Sequence, residues 1–285
     1  MFELVPGIWT MDTNKEITAL LQLIDDPDTE VFDVVSQKIV DYGRPIIPNL
    51  EHLWENTPDN HIQQRIEMLI HRLHFRDLAE DFRQWNVAGH HDLMLGALLV
   101  SKFQYPELTA APVMKEVEKI HRNIWLELTI LYSYYGLKGG EINSNEPNDF
   151  LLHKVLEAKR GNQLANGILY LLLCEMLDMP VRALTIPRQF IIAYFKPGYS
   201  SLNLPDPFHQ AEFFIDPTTG QVFSHADVES YFKRISVEPG EQYFKPQSNR
   251  QVIQYLLAEF SKCFKDETDH YKKDELLSLT SLLGE

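Results

Sequence analysis

Between residues 15 and 85 apolar side chains recur every three or four positions, the period of helices packed along one face. Val31, Val34, Val35 and Ile39 form one such stripe, and Ile62, Ile66, Leu69, Ile70 and Leu73 form another. Each stripe follows a proline-aspartate pair, Pro27-Asp28 and then Pro58-Asp59, 31 residues apart. Proline suits the turn, and the following carboxylate can accept hydrogen bonds from the unpaired N–H groups that open a helix.

The two units resemble HEAT-type helical hairpins, although ordinary packed helices with Asp caps would leave the same pattern. A second helical block is expected from His91 to Tyr135. Within it "DLMLGALLVSKF" is apolar all round and so should be buried, while "PVMKEVEKIHRNIWLELTILYSYYG" is amphipathic and stops at Gly136. "GLKGGEINSNEPNDF" reads as a loop, Phe150–Lys159 as a short helix and Leu164–Leu177 as a strong one.

After Pro180 the period changes. "VRALTI", "FIIAYF" and "AEFFID" are short β-branched and aromatic runs bounded by Pro and Gly, with "KPGYSSLNLPDPFHQ" between the last two. They predict three strands in an antiparallel sheet against the Leu164–Leu177 helix. "HADVESYFKRI" and "NRQVIQYLLAEFSKCFK" follow as helices, and 266–285 as a loosely docked tail. The fold class is therefore α+β. Residues 15–135 should be all helical, with strands only after Pro180.

Charge narrows the partners. With 26 basic against 41 acidic side chains, the formal net charge is −15, which disfavours nucleic acid and anionic membrane surfaces. The N-terminus lacks the basic-then-apolar pattern of a signal peptide, and no apolar run reaches a bilayer span. Two cysteines, Cys174 and Cys263, both in helical patterns, suit a reducing cytoplasm better than a disulfide framework.

The candidate chemistry lies where the Leu164–Leu177 helix begins. The pieces Phe150-Leu151-Leu152, Val155-Leu156-Glu157, Arg160-Gly161, Met179-Pro180, Pro187-Arg188-Gln189-Phe190 and Asp216-Pro217 occur in order, preceded by "DLMLGALLVSKFQYPEL" at 92–108. This order and spacing resemble the SirB-type family of transglutaminase-like proteins over roughly residues 90–235. The resemblance implies a papain-like core of a central helix on a small antiparallel sheet. It also implies a cysteine at the helix start, a histidine on the following strand and an acid on the next. The helix dipole would lower the thiol's pKa, and the histidine would take its proton.

Carried over position by position, the cysteine falls 17 residues before Pro180, on Gln163; the histidine falls on Gln189 and the acid on Asp216. A carboxamide has no nucleophilic form and does not act as a general base. The resemblance thus implies a degenerate triad. Gln163, Gln189 and Asp216, with Asn162, would converge in a cleft able to hold a peptide or small polar ligand.

Substitutes for the missing groups are weak. Cys174 lies further along the same helix, about 16 Å away for an ordinary helical rise, amid "LLLC". His153 and His209 have no motif around them, and the His90-His91 pair lacks further ligands at metal spacing. "KGGE" at 138–141 is too weak to mean phosphate binding, and no other nucleotide, hydrolase or metalloprotease motif occurs. No metal or cofactor is implied.

The domain layout expected is a HEAT-like region at 1–88, a transglutaminase-like domain at 89–265 and a tail at 266–285. Two functions from different classes remain. One is a non-catalytic binding or scaffold module for a protein or peptide partner. The other is a cysteine-type amide hydrolase or acyltransferase with a displaced nucleophile. The oligomeric state is not encoded in any feature of the chain.

Overall fold

The computed structural model describes residues 11–124, 130–133, 135–140, 146–196, 206–266 and 269–284. Parts of five expected segments therefore lie outside the described residues: 1–10 of the HEAT-like region, 125–129 and 134 of the second helical block, 141–145 of the loop, 197–205 between the strands, and 267–268 and 285 of the tail. The chain divides into two compact units, 1–80 and 81–285.

In the first unit, helices α1 (Met11–Gln22), α2 (Thr29–Tyr42), α3 (Ile47–Asn56) and the start of α4 (Asn60–Val87) follow one another. Both Pro-Asp pairs do what their chemistry predicts. Asp28 accepts from the Glu30 amide at 2.9 Å to cap α2, and Asp59 accepts from the His61 amide at 2.7 Å at the head of α4. Val35 and Ile39 of α2 share a core with Ile17, Leu50, Ile66 and Leu73, whereas Val34 points out, 61% exposed. Arg65 fixes the α1–α2 turn: its guanidinium donates to the carbonyls of Ile24 and Asp26 and lies over the Phe32 ring. Among the described residues of 15–135 there is no strand.

The second unit is built on a four-stranded antiparallel sheet in the order β3 (Val181–Ile186), β4 (Gln189–Phe195), β5 (Ala211–Ile215), β6 (Val222–Phe223). The three expected strands are present, and β6 adds a short fourth. Helix α9 (Gln163–Met176) packs on one face and meets Phe190 at Gly167, where an added Cβ would collide with the ring. On the other face Ile191, Ala193 and Phe195 pack with Val228 and Phe232 of α11 (His225–Arg234). Because β4 is central and covered on both sides, it reads as a continuous apolar run.

Four differences from expectation have local causes. Strands also occur before Pro180: β1 (Lys138–Gly140) pairs in parallel with β2 (Arg160–Asn162). Three-residue glycine-bearing strands carry no periodicity to find. The rest of the expected loop includes a 3-10 turn at Pro147–Phe150, leading into α8 (Leu152–Ala158). Met176, which the placing of the whole Leu164–Leu177 helix against the sheet would bury, is 41% exposed because α9 is ending there. The C-terminal segment is no loose tail: α13 (His270–Leu282) packs on α12 (Asn249–Ser261), with Leu276, Leu279 and Leu283 fully buried.

Leu173 is completely buried in α9. Leu173→Ala should cost about 2–5 kcal/mol in urea denaturation; a loss below about 0.5 kcal/mol would mean the helix face is not the packed one.

Candidate functional site

The α9 start is fixed by its own sequence. Asn162 caps the helix, its Oδ1 accepting from the Ala165 amide at 2.8 Å, and it is fully buried. Asn166, one turn on and also fully buried, donates through Nδ2 to the Lys138 carbonyl at 3.1 Å, tying α9 to β1. Gln163 is the first helical residue, 5% exposed. Its carboxamide is engaged at both ends: Nε2 donates to Asp216 Oδ1 at 3.1 Å, and Oε1 accepts from the Phe190 amide at 3.1 Å.

Strand register explains why that amide needs a partner. The β4–β5 ladder ends at Ile192 opposite Ile215, and the chain then turns away at Asp216-Pro217. Phe190 lies beyond that last pair, so the Gln163 oxygen serves its N–H in place of a strand neighbour. Asp216 organises the turn itself. Its Oδ1 also accepts from the Thr218 amide at 2.8 Å, and its Oδ2 accepts from the Thr219 hydroxyl at 3.0 Å. Tyr132 closes over this turn, donating from its hydroxyl to the Pro217 carbonyl at 3.0 Å. Burial, then the neighbouring Tyr170 and Asp216, push its phenol far above the ordinary value.

Two of the three positions carried over from the resemblance therefore meet. Gln189 does not join them through its side chain. It pairs with Ile186 and alternates with Phe190, so its side chain shares the face of Ile186 and Ile191, opposite α9. What reaches Gln163 from β4 is the backbone of the next residue.

The sequence model of the transglutaminase-like superfamily matches residues 110–258, more than half of the chain. The chain belongs to that superfamily. No curated protein and no solved structure matches it. In this transglutaminase-like domain the helix-start position holds an amide that is buried and fully engaged.

The other reactive groups lie in different surroundings. Cys174 is fully buried, and burial pushes its thiol far up. Cys263 is partly buried and pushed up to about 12, again chiefly by burial. His153 packs edge-on to Tyr105 with centroids 4.7 Å apart, and burial, then Lys154, lowers it. His209 pairs with Asp206 at 2.9 Å, which holds that carboxyl below its ordinary range. Among the described residues no group of three or more His, Cys, Asp or Glu is placed to hold a metal ion.

Sequence reasoning missed Phe190, Thr218, Thr219 and Tyr132. The "DPTTG" run carried a turn signal that points to the threonines; nothing marked a backbone amide or a tyrosine from a distant helix.

Gln163→Ala should cost about 1–3 kcal/mol, because it strands a buried N–H. Gln163→Glu adds a carboxylate beside Asp216 and removes the amide donor. Burial and like charge raise that new carboxyl above its unfolded value, so the folded state binds more protons and stability falls as pH rises. The variant should thus lose more stability at pH 7 than at pH 5 in denaturant titrations. Equal losses at both would show that residue 163 does not face Asp216.

Proposed function

We propose that this protein is a non-catalytic transglutaminase-like protein that serves as a binding or scaffold module for a protein or peptide partner. The observation that carries this is Gln163. At the place where the resemblance puts a nucleophilic cysteine stands a carboxamide, 5% exposed, with both ends held by Asp216 and Phe190. It offers neither a nucleophile nor a base. In this reading the triad is degenerate. Gln163, Asp216 and Asn162 now hold the fold.

Gln189 is free for another task. It borders a cavity of about 370 Å³ shared with Ile191, Tyr231 and Arg234, on the sheet face away from α9. That cavity suits a peptide side chain. The motif order supports placement in the SirB-type branch, and the two Asp-capped hairpins support a HEAT-like ridged surface in the first unit. Cys174 and Cys263, neither of them in a disulfide, favour a reducing compartment, the cytoplasm, as its place; among the described residues no helix is long and apolar enough to cross a membrane. The strong negative charge favours a basic partner over nucleic acid.

A hydrolase with a displaced nucleophile needs a reachable thiolate, and Cys174 is fully buried. Purified protein should therefore give no amidase, esterase or acyl-transfer turnover. Iodoacetamide should leave Cys174 unmodified until the protein is unfolded. Cys263 should react slowly, at a rate rising about tenfold per pH unit well past neutrality. Turnover that survives purification and disappears in Asp216→Ala, or rapid native labelling of Cys174, would overturn the non-catalytic assignment.

A further inference from the structure

The cavity beside Gln189 lies between helix α11 and the β3–β4 hairpin. Ile186 and Ile191 of the hairpin and Val228 of the helix give it an apolar floor. The helix also lines it with Asp227, Tyr231 and Arg234, spaced i, i+4 and i+7 and so on one side of α11. Its width is fixed: the Tyr231 hydroxyl donates to the Pro187 carbonyl at 2.7 Å, tying the helix to the hairpin.

Charge sets this cavity apart. The chain has 41 acidic against 26 basic side chains. Yet Arg234 on its wall and Arg188 on the adjoining hairpin turn are exposed, and among the described residues neither makes an ion pair. The Arg234 guanidinium lies over the Tyr231 ring, 5.3 Å from its centroid. A guanidinium steadied against a ring still has N–H donors at its rim for a carboxylate. Burial raises the Tyr231 phenol, and the charges of Arg188 and Arg234 pull it back, so both stand near that hydroxyl. The acid that lines the cavity is not their partner. Asp227 lies two helical turns from Arg234, about 10 Å by helical rise. Its Oδ2 accepts from the Ser224 amide at 2.8 Å and the Ser224 hydroxyl at 2.6 Å. Gln189 adds a carboxamide with no hydrogen-bond partner among the described residues. Like a peptide group, it both donates and accepts.

We propose that this cavity takes the C-terminal residue of a partner chain, its apolar side chain on Ile191 and Val228, its terminal carboxylate on Arg234 and Arg188, and its peptide group on Gln189. The proposal rests on the reading of the protein as a binding module and names what the module holds. A terminal carboxylate supplies the counter-charge both arginines lack. The last residue of a chain presents that carboxylate, a peptide group and a side chain within a few bonds of one another, as the cavity's three features require. An internal acidic residue offers its charge only at the end of its own side chain, with no apolar group left for the floor. The protein's negative charge still favours a partner with a basic body, since a chain of any net charge ends in a carboxylate.

The test is titration of the full chain, read by its backbone NMR shifts, with three peptides. The first is an N-acetylated tripeptide of two alanines and a C-terminal leucine. The second is its C-terminal amide. The third is an amide-capped tripeptide with glutamate between two alanines. The free acid should bind saturably and shift residues 186–191 and 227–234. The other two should bind about tenfold or more weaker, since each loses the terminal charge-assisted contact. Arg188→Met combined with Arg234→Met should abolish the preference for the free acid. No saturable binding of the free acid up to about 10 mM, equal affinity for it and either capped peptide, or a double variant that keeps the preference would each overturn the proposal. The capped peptides test it on the unaltered chain, so a misfolded variant cannot mask the answer. Failure here leaves the non-catalytic assignment standing, because turnover and Cys174 labelling decide that separately.

Discussion

In the second unit one side chain bridges a buried strand amide that would otherwise have no partner and the turn that follows β5. The Gln163 carboxamide donates to Asp216 and accepts from the Phe190 amide. In doing so it joins the head of α9 to the start of β4 and to the turn after β5. A buried polar group costs free energy unless it is paired, and here the amide pairs the buried Phe190 N–H while its other end adds to the bonds already made to Asp216. The position also sits at the positive end of a helix. That setting lowers a thiol's pKa, but a carboxamide has no charge for it to stabilise.

Close packing reinforces the same junction. Gly167, one turn along α9 from Gln163, leaves room for the Phe190 ring. Gly139 in β1 lies so close to Thr218 that an added Cβ would collide with it. Tyr132 reaches the Pro217 carbonyl from the other side. The Asp216 turn is thus held by a glutamine, two threonines and a tyrosine. A conformation so constrained makes this turn a structural joint.

Much of this was legible from residues alone. The period change at Pro180 located the sheet, and the Asp caps located two helix starts. The meeting of Gln163 and Asp216 was not read from the residues themselves; it was what the resemblance to transglutaminase-like proteins implied. The face of Gln189 was not legible. Side chains alternate along a strand, so the outcome turns on a single-residue register that only the hairpin at 187–188 fixes. Strands β1 and β2 were hidden by their length. Helix α13 left a trace in Leu276, Leu279 and Leu283, whose spacing is helical, but the polar run before it obscured the signal.

The double-mutant cycle of Gln163→Ala and Asp216→Ala, measured by urea denaturation, tests the bridge most directly. Asp216→Ala also removes the Thr218 and Thr219 contacts, but that loss is common to both arms and cancels. A buried, doubly engaged carboxamide predicts a coupling energy of about 1 kcal/mol or more between the two positions. Strict additivity, with a coupling below about 0.3 kcal/mol, would contradict it.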